Sequence, residues 1–233
     1  MTDLLFDPPA PRTVPMAGQA ALYPVHRIFC VGRNYAAHAA EMGAEIDREA
    51  PFYFTKSVAA VAQSGSTLPY PPGTTNYHHE MELVLALGAT VFRADLRAAM
   101  AAILAYGGGL DMTRRDLQNT AKLKQRPWDL GKDVEQSAVL APLVPADAVG
   151  EIGPQRIQLS VNGSMRQDAR LRDMVWSPAE IVRDLSAYYH LGPGDLIMTG
   201  TPAGVGPVRA GDRLEGRIDG LVDLSVTFSD AET

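Results

Sequence analysis

The chain has 233 residues, 46% of them hydrophobic and 21% charged, with a formal net charge of -6 at pH 7. A mean hydropathy of -0.07 and a pI near 5.3 fit a folded, soluble protein and exclude long disorder and coiled coils. The acidic balance and scattered basic residues exclude a nucleic-acid partner. No apolar stretch approaches the ~20 residues of a membrane helix, and Met1 to Pro15 lack a signal peptide's basic and apolar regions, so a cytoplasmic protein is expected.

Residues 1–18, rich in proline, read as an extended lead-in, with folded structure expected from about Leu22 and a single catalytic domain over 19–233. A strand at 28–31 carries Cys30, the lone cysteine, whose apolar surroundings predict a buried inert thiol. After a Gly32-Arg33-Asn34 turn, Asn34 is placed to cap an Ala-rich helix ending at Gly43. Residues 44–50 read as a mobile surface loop, 51–56 as an aromatic strand and 79–88 as a further strand. An amphipathic helix is predicted over 95–106. Three glycines then lead to Asp111, and Thr113 with Asp116 fits a capping box for the next helix. Strands are expected at 157–161, 196–199, 214–218 and 221–228, with a helix over 178–189. Short strands without a βαβ rhythm predict an α+β fold, mainly antiparallel β with peripheral helices.

Within the 79–88 strand, the period of two puts Glu80 and Glu82 on one face and Met81, Leu83, Leu85 and Leu87 on the other. Two adjacent carboxylates repel unless a cation joins them, and a hard divalent ion suits oxygen donors; a solvent-facing polar strand edge accounts for the same pattern. Asp111 offers a third ligand, while its position alone slightly favours a helix cap. His78 and His79 bring zinc to mind, yet no zinc-binding spacing is present. His38 and Glu41 share a helical face, where the carboxylate could orient an imidazole for water activation, or both could be solvated. Lys132, Arg114 and Arg115 read as ordinary surface cations as readily as site residues.

These segments together resemble the fumarylacetoacetate hydrolase family, and within it the short acylpyruvate and fumarylpyruvate hydrolase branch. The resemblance runs from about Ile28 to Phe228. It is carried by Gly32-Arg-Asn-Tyr-Ala-Ala-His38 with Glu41, Phe54-Thr-Lys56, His78-His-Glu80-Met-Glu82, Leu110-Asp111-Met-Thr with Arg115 and Gln118, Pro127-Trp-Asp-Leu-Gly-Lys132, and Thr199-Gly-Thr-Pro-Ala-Gly-Val-Gly206. It implies a mixed β-roll, a homodimer, and Mg²⁺ or Mn²⁺ on Glu80, Glu82 and Asp111. It further implies a catalytic His38–Glu41 pair on a segment, 36–50, that closes as a lid, with Lys132 in the pocket. Arg33, Lys56, Arg115, Gln118 and Thr201 match positions at or near the ligand. The 162–168 block also resembles the branch, while Leu171 and Asp133 depart from it.

The implied reaction is hydrolysis of the C3–C4 bond of a small 2,4-dioxo acid to pyruvate and a carboxylic acid, as in gentisate-type aromatic catabolism. Oxaloacetate decarboxylation, or isomerisation or decarboxylation of an oxo-dicarboxylate, would use the same metal ligands. A non-catalytic oxo-acid-binding module stands as the reading from a different class.

Overall fold

A computed structural model describes residues 5–43 and 48–232. In chain order the elements are β1 (Thr13–Pro15), β2 (Leu22–Pro24), β3 (Arg27–Gly32), α1 (Ala36–Glu41), β4 (Phe52–Lys56), β5 (Val61–Gln63), β6 (Thr67–Pro69), β7 (Tyr77–His79), β8 (Met81–Leu87), α2 (Leu96–Ala101), β9 (Ile103–Asp111) and β10 (Thr113–Arg114). Then come α3 (Arg115–Leu123), α4 (Asp129–Lys132), β11 (Ala138–Leu140), β12 (Val144–Pro145), α5 (Ala146–Val149), β13 (Arg156–Val161), β14 (Ser164–Arg170), α6 (Pro178–Leu185), β15 (Asp195–Met198), β16 (Gly206–Val208), β17 (Arg213–Ile218) and β18 (Leu224–Ser229).

A curled sheet of order β4-β3-β15-β8-β9-β11-β5, with β12 added against β9, forms the body of the molecule. Its pairings are mostly antiparallel, with parallel steps at β15–β3 and β11–β5. A second sheet, β14-β13-β17-β18-β6, packs beside it. The fold is therefore the α+β, mainly antiparallel mixed β-roll expected from the sequence.

The two faces of β8 explain how the layers meet. Met81, Leu83, Leu85 and Leu87 join the core shared with Leu159, Leu214 and Val226 of the second sheet. Val84 and Ala86, on the face of Glu82, join the other core with Ile28, Cys30, Leu140 and Met198. The whole strand is buried. The glutamates thus leave water with the rest of it, and a solvated polar edge is not what this strand forms.

Several local expectations change. The lead-in contributes β1, paired with β2, and Val14 is fully buried in the Cys30 core. A proline-rich segment can do this because an edge strand tolerates a missing N–H. The helix expected over 95–106 stops at Ala101, and Ile103 opens β9, since pairing with β8 supplies its backbone partners. The three glycines lie inside β9, without unusual dihedrals; they leave room for packed side chains, as a Cβ on Gly109 would come within 2.6 Å of Val84. No capping box forms at α3: Asp116 instead accepts from the Thr74 hydroxyl at 2.6 Å and the Thr75 amide at 3.1 Å. Tyr35, not Asn34, is the N-cap of α1. The segment expected to close over the site includes 44–47, which lie outside the described residues.

Candidate active site

The antiparallel register of β8 and β9 sets Met81 opposite Leu110, and the Asp111 amide donates to the Glu80 carbonyl at 2.9 Å. Glu80 occupies the single residue between β7 and β8, and Asp111 ends β9. One carboxylate oxygen from each of Glu80, Glu82 and Asp111 lies within 4.8 Å of the others, and all three residues are buried. Asp111 is thus a strand-end residue rather than a helix cap.

Three cations stabilise this buried negative charge. Lys132 Nζ donates to Glu80 Oε2 and Asp111 Oδ2, both at 2.7 Å, and to the Thr113 hydroxyl at 2.8 Å. Arg115 pairs with Glu80 and donates to Gln118 Oε1 at 2.6 Å. Gly131 allows Lys132 to reach inward: a Cβ there would lie 2.9 Å from the Gln118 backbone, holding α4 away from α3. Lys56 lies 2.9 Å from Asp111 Oδ1 and donates to Ser137 Oγ at 2.8 Å and the Met112 carbonyl at 3.1 Å. It is fully enclosed and does not line the cleft, so it stands beneath Asp111 rather than against a ligand.

The three acids are not equivalent. Burial raises the proton affinity of Glu80, but the fields of Lys132 and Arg115 outweigh it and hold the carboxyl well below its usual range. Glu82 makes no ion pair among the described residues, and the field of Lys132 only partly offsets its burial. It accepts a hydrogen bond from the Gly200 amide at 2.7 Å, and burial, with Asp111 and Glu80 beside it, pushes its pKa well up. Asp111 Oδ1 is buried and, despite the nearby ammonium, accepts no well-aligned hydrogen bond among the described residues. An under-neutralised carboxylate beside an orphaned carboxylate oxygen is a donor set that a hard divalent cation fits. His78 and His79 lie outside this cluster, bonding to Asn76 and Gln167, which leaves zinc without nitrogen ligands here.

On α1, His38 Nδ1 lies 3.1 Å from Glu41 Oε2. The Glu41 carboxylate is itself held by the Gly204 amide at 3.1 and 3.2 Å. With Nδ1–H donating to the carboxylate, His38 Nε2 keeps its lone pair. Gly204 has φ +97°, and a Cβ there would lie 2.0 Å from the Arg166 carbonyl oxygen. Gly204→Ala is expected to cost about 1–3 kcal/mol of stability and to lower turnover by displacing Glu41. Urea denaturation and steady-state assays of one preparation check both.

His38, Glu80, Glu82, Arg115, Gln118, Lys132, Thr201 and Arg33 all line one cleft of about 400 Å³, counting its open mouth. Three of its features escaped the sequence reading. Gln167, from the second sheet, accepts from the Met81 amide at 3.0 Å and donates to Thr201 Oγ1 and the Pro202 carbonyl, both at 2.8 Å. It therefore clamps the backbone between Glu80 and Glu82 to the loop that carries Thr201. Lys122 and Trp128 complete the wall. Lys122 follows Arg115 and Gln118 at helical spacing, a signal that one face of α3 is shared.

A β-roll that clusters three buried carboxylates, two of them lining a cleft with a histidine held by a glutamate, is the framework of a metal-assisted enzyme acting on small oxo acids. Residues 27–229 match the family described as fumarylacetoacetate (FAA) hydrolase C-terminal, and the chain belongs to that family. A fumarylpyruvate hydrolase of a Ralstonia species is 50% identical, the match covering 82% of this chain and all of that protein. An oxaloacetate tautomerase of Escherichia coli is 37% identical, covering 85% of this chain and 90% of the relative. The crystal structure of fumarylpyruvate hydrolase from Pseudomonas aeruginosa, in complex with Mn²⁺ and pyruvate, superposes with a TM-score of 0.94 at 46% identity, covering 98% of this chain and all of that one. Among the described residues, no helix is long and apolar enough to cross a membrane.

Proposed function

We propose that this enzyme hydrolyses the C3–C4 bond of 2,4-dioxo acids, with fumarylpyruvate as the substrate that yields pyruvate and fumarate, using Mg²⁺ or Mn²⁺ held by Glu80, Glu82 and Asp111. The observation that carries the reading is that Glu80 and Glu82, clustered with the buried Asp111, and His38, bonded to Glu41, line the same cleft. The similarity to fumarylpyruvate hydrolases supports the choice of substrate. When bound, the cation supplies Lewis-acid attraction for the carboxylate and 2-oxo oxygens of the substrate.

The residues of the chain do the rest. His38, oriented by Glu41, takes a proton from water, and the hydroxide adds to the C4 carbonyl. The C3–C4 bond breaks with its electron pair passing to the pyruvate unit. The proton held by His38 returns to C3. Lys132 and Arg115 place positive charge beside the oxo-acid end, and Gln118, fixed by Arg115, supplies amide donors there. Lys56 supports Asp111 from below, and Gln167 holds Thr201 at the wall. A cytoplasmic location belongs to the same reading, as does the homodimeric state that the resemblance implies.

Oxaloacetate chemistry is the second reading, favoured by the tautomerase relative. Parallel product analysis separates them. Purified protein with Mg²⁺ should convert fumarylpyruvate to equimolar fumarate and pyruvate, and EDTA should abolish this until Mg²⁺ or Mn²⁺ is restored. Turnover of oxaloacetate with fumarylpyruvate and acetylpyruvate left intact would sink the hydrolase assignment.

A further inference from the structure

Beside Glu80 and Glu82, the cleft is lined by Phe54, Trp128, Arg33 and Lys122. Phe52 and Trp128 pack with ring centroids 4.8 Å apart. The Arg33 guanidinium lies 5.9 Å from the centre of the Phe52 ring, and Lys122 Nζ lies 5.0 Å from that of Trp128. Two cations are thus held over neighbouring aromatic rings. Ring faces restrain a cation without neutralising it or consuming its N–H donors. Among the described residues neither Arg33 nor Lys122 makes an ion pair or a side-chain hydrogen bond, whereas Arg115, Lys56 and Lys132 are all committed to Glu80 or Asp111.

Two further observations point the same way. Arg33 has a left-handed backbone, φ 59°, a conformation that a non-glycine residue keeps where its surroundings hold it, commonly at ligand sites. Lys122 is half-buried, and burial, with the guanidinium groups of Arg115 and Arg33 adding to it, pushes its ammonium down to about 8. This rim is short of negative charge. The acids that line the cleft have partners of their own, Glu80 in Arg115 and Lys132 and Glu82 in the Gly200 amide.

We propose that Lys122, beside Arg33, forms a subsite for the distal carboxylate of a dicarboxylic oxo acid, and so selects acyl groups that end in a carboxylate over those that end in a methyl. This deepens the proposed function and rests on its orientation of the substrate, with the oxo-acid end at Glu80, Glu82 and Asp111. The Lys122 ammonium donates to the carboxylate, and the Phe54 and Trp128 rings, centroids 6.1 Å apart, flank the unsaturated carbons. A neutral acyl chain receives nothing from the ammonium and leaves it unpaired, so the discrimination is carried by one charge-assisted contact.

The test uses the Mg²⁺-saturated protein and two non-cleavable acids of equal length, 2-oxopimelate, which ends in a carboxylate, and 2-oxoheptanoate, which ends in a methyl. Calorimetric titration of the native protein should show about ten- to hundredfold tighter binding of the dicarboxylate. Lys122→Met should erase that preference while leaving the affinity for 2-oxoheptanoate within about threefold, and Lys122→Arg should keep most of it. Lys122→Gln serves as the second neutral variant, with thermal midpoints recorded for all. In parallel, Lys122→Met should lower kcat/KM for fumarylpyruvate and not for acetylpyruvate. No preference in the native protein, a preference that survives in both neutral variants, or an equal loss for both acids overturns the subsite. A native protein that prefers 2-oxopimelate through Lys122 but cleaves neither acylpyruvate keeps the subsite and refutes the hydrolase reading instead.

Discussion

His38→Ala is expected to lower kcat for fumarylpyruvate by about 10²–10⁴-fold, the usual contribution of a positioned general base, with no change in divalent-cation affinity. His38 is buried to 7% exposure yet lines the cleft, and its Nδ1 bond to Glu41 commits the ring to one tautomer. Glu41→Gln should produce a smaller loss in kcat, because the amide can still accept from Nδ1–H while no longer stabilising an imidazolium. Its bond from Gly204 can persist through the amide oxygen, so the loop need not move. Single-turnover kinetics with Mg²⁺ titrated separately distinguish the roles. Full turnover in His38→Ala with normal metal binding would assign water activation to another group.

Glu82→Gln is expected to have effects of opposite sign on the metal-free and metal-loaded protein. Glu82 is a buried carboxylate whose one hydrogen-bond donor among the described residues is the Gly200 amide, and its pKa is raised by burial and by Asp111 and Glu80. A carboxyl whose folded pKa exceeds its unfolded value binds more protons in the folded state over the interval between them. Stability of the metal-free protein is therefore lost as pH climbs from the ordinary carboxylate range toward the raised folded value. The neutral amide keeps the Gly200 contact and removes the charge, so metal-free Glu82→Gln should match or exceed the native protein in stability at pH 7 and show a flatter pH dependence there. The same change should weaken Mg²⁺ or Mn²⁺ binding by at least about a hundredfold, since even groups that merely orient metal ligands contribute 10–100-fold. Chemical denaturation with and without EDTA, together with metal titration, reads both signs. A metal-free variant much less stable than the native protein would mean that the Glu82 charge is satisfied by the protein itself.

Legibility differed from residue to residue within the site. The i, i+3 spacing of His38 and Glu41 and the alternation through Glu80 and Glu82 could be read directly, and both juxtapositions are present. Asp111 was ambiguous because a strand end and a helix start adjoin at 111–115, and local propensity does not separate a ligand from a cap. The match of six segments to one family turned that ambiguity into an expectation. Gln167 was passed over because it comes from the other sheet and touches the site through backbone groups. Lys122 was passed over because a lysine in the last turn of a helix ordinarily faces solvent.

What the sequence alone determined are the features written into backbone periodicity: which residues of β8 share a face, which residues of α1 share a side, and that short strands would dominate. These follow from a repeat of two residues in a strand and 3.6 in a helix, whatever the rest of the chain does. Strand order and register decided the remainder. Pairing of β9 with β8 carried Asp111 to Glu80, enclosure turned a possible polar edge into three buried acids, and the same enclosure put Lys56 under the cluster rather than in the cleft. The proline-rich lead-in became β1 with Val14 in the core because the concave sheet left an apolar surface for it to cover. Contacts between distant residues depend on how whole elements are stacked, and burial, which sets the electrostatics of this site, exists only once they are.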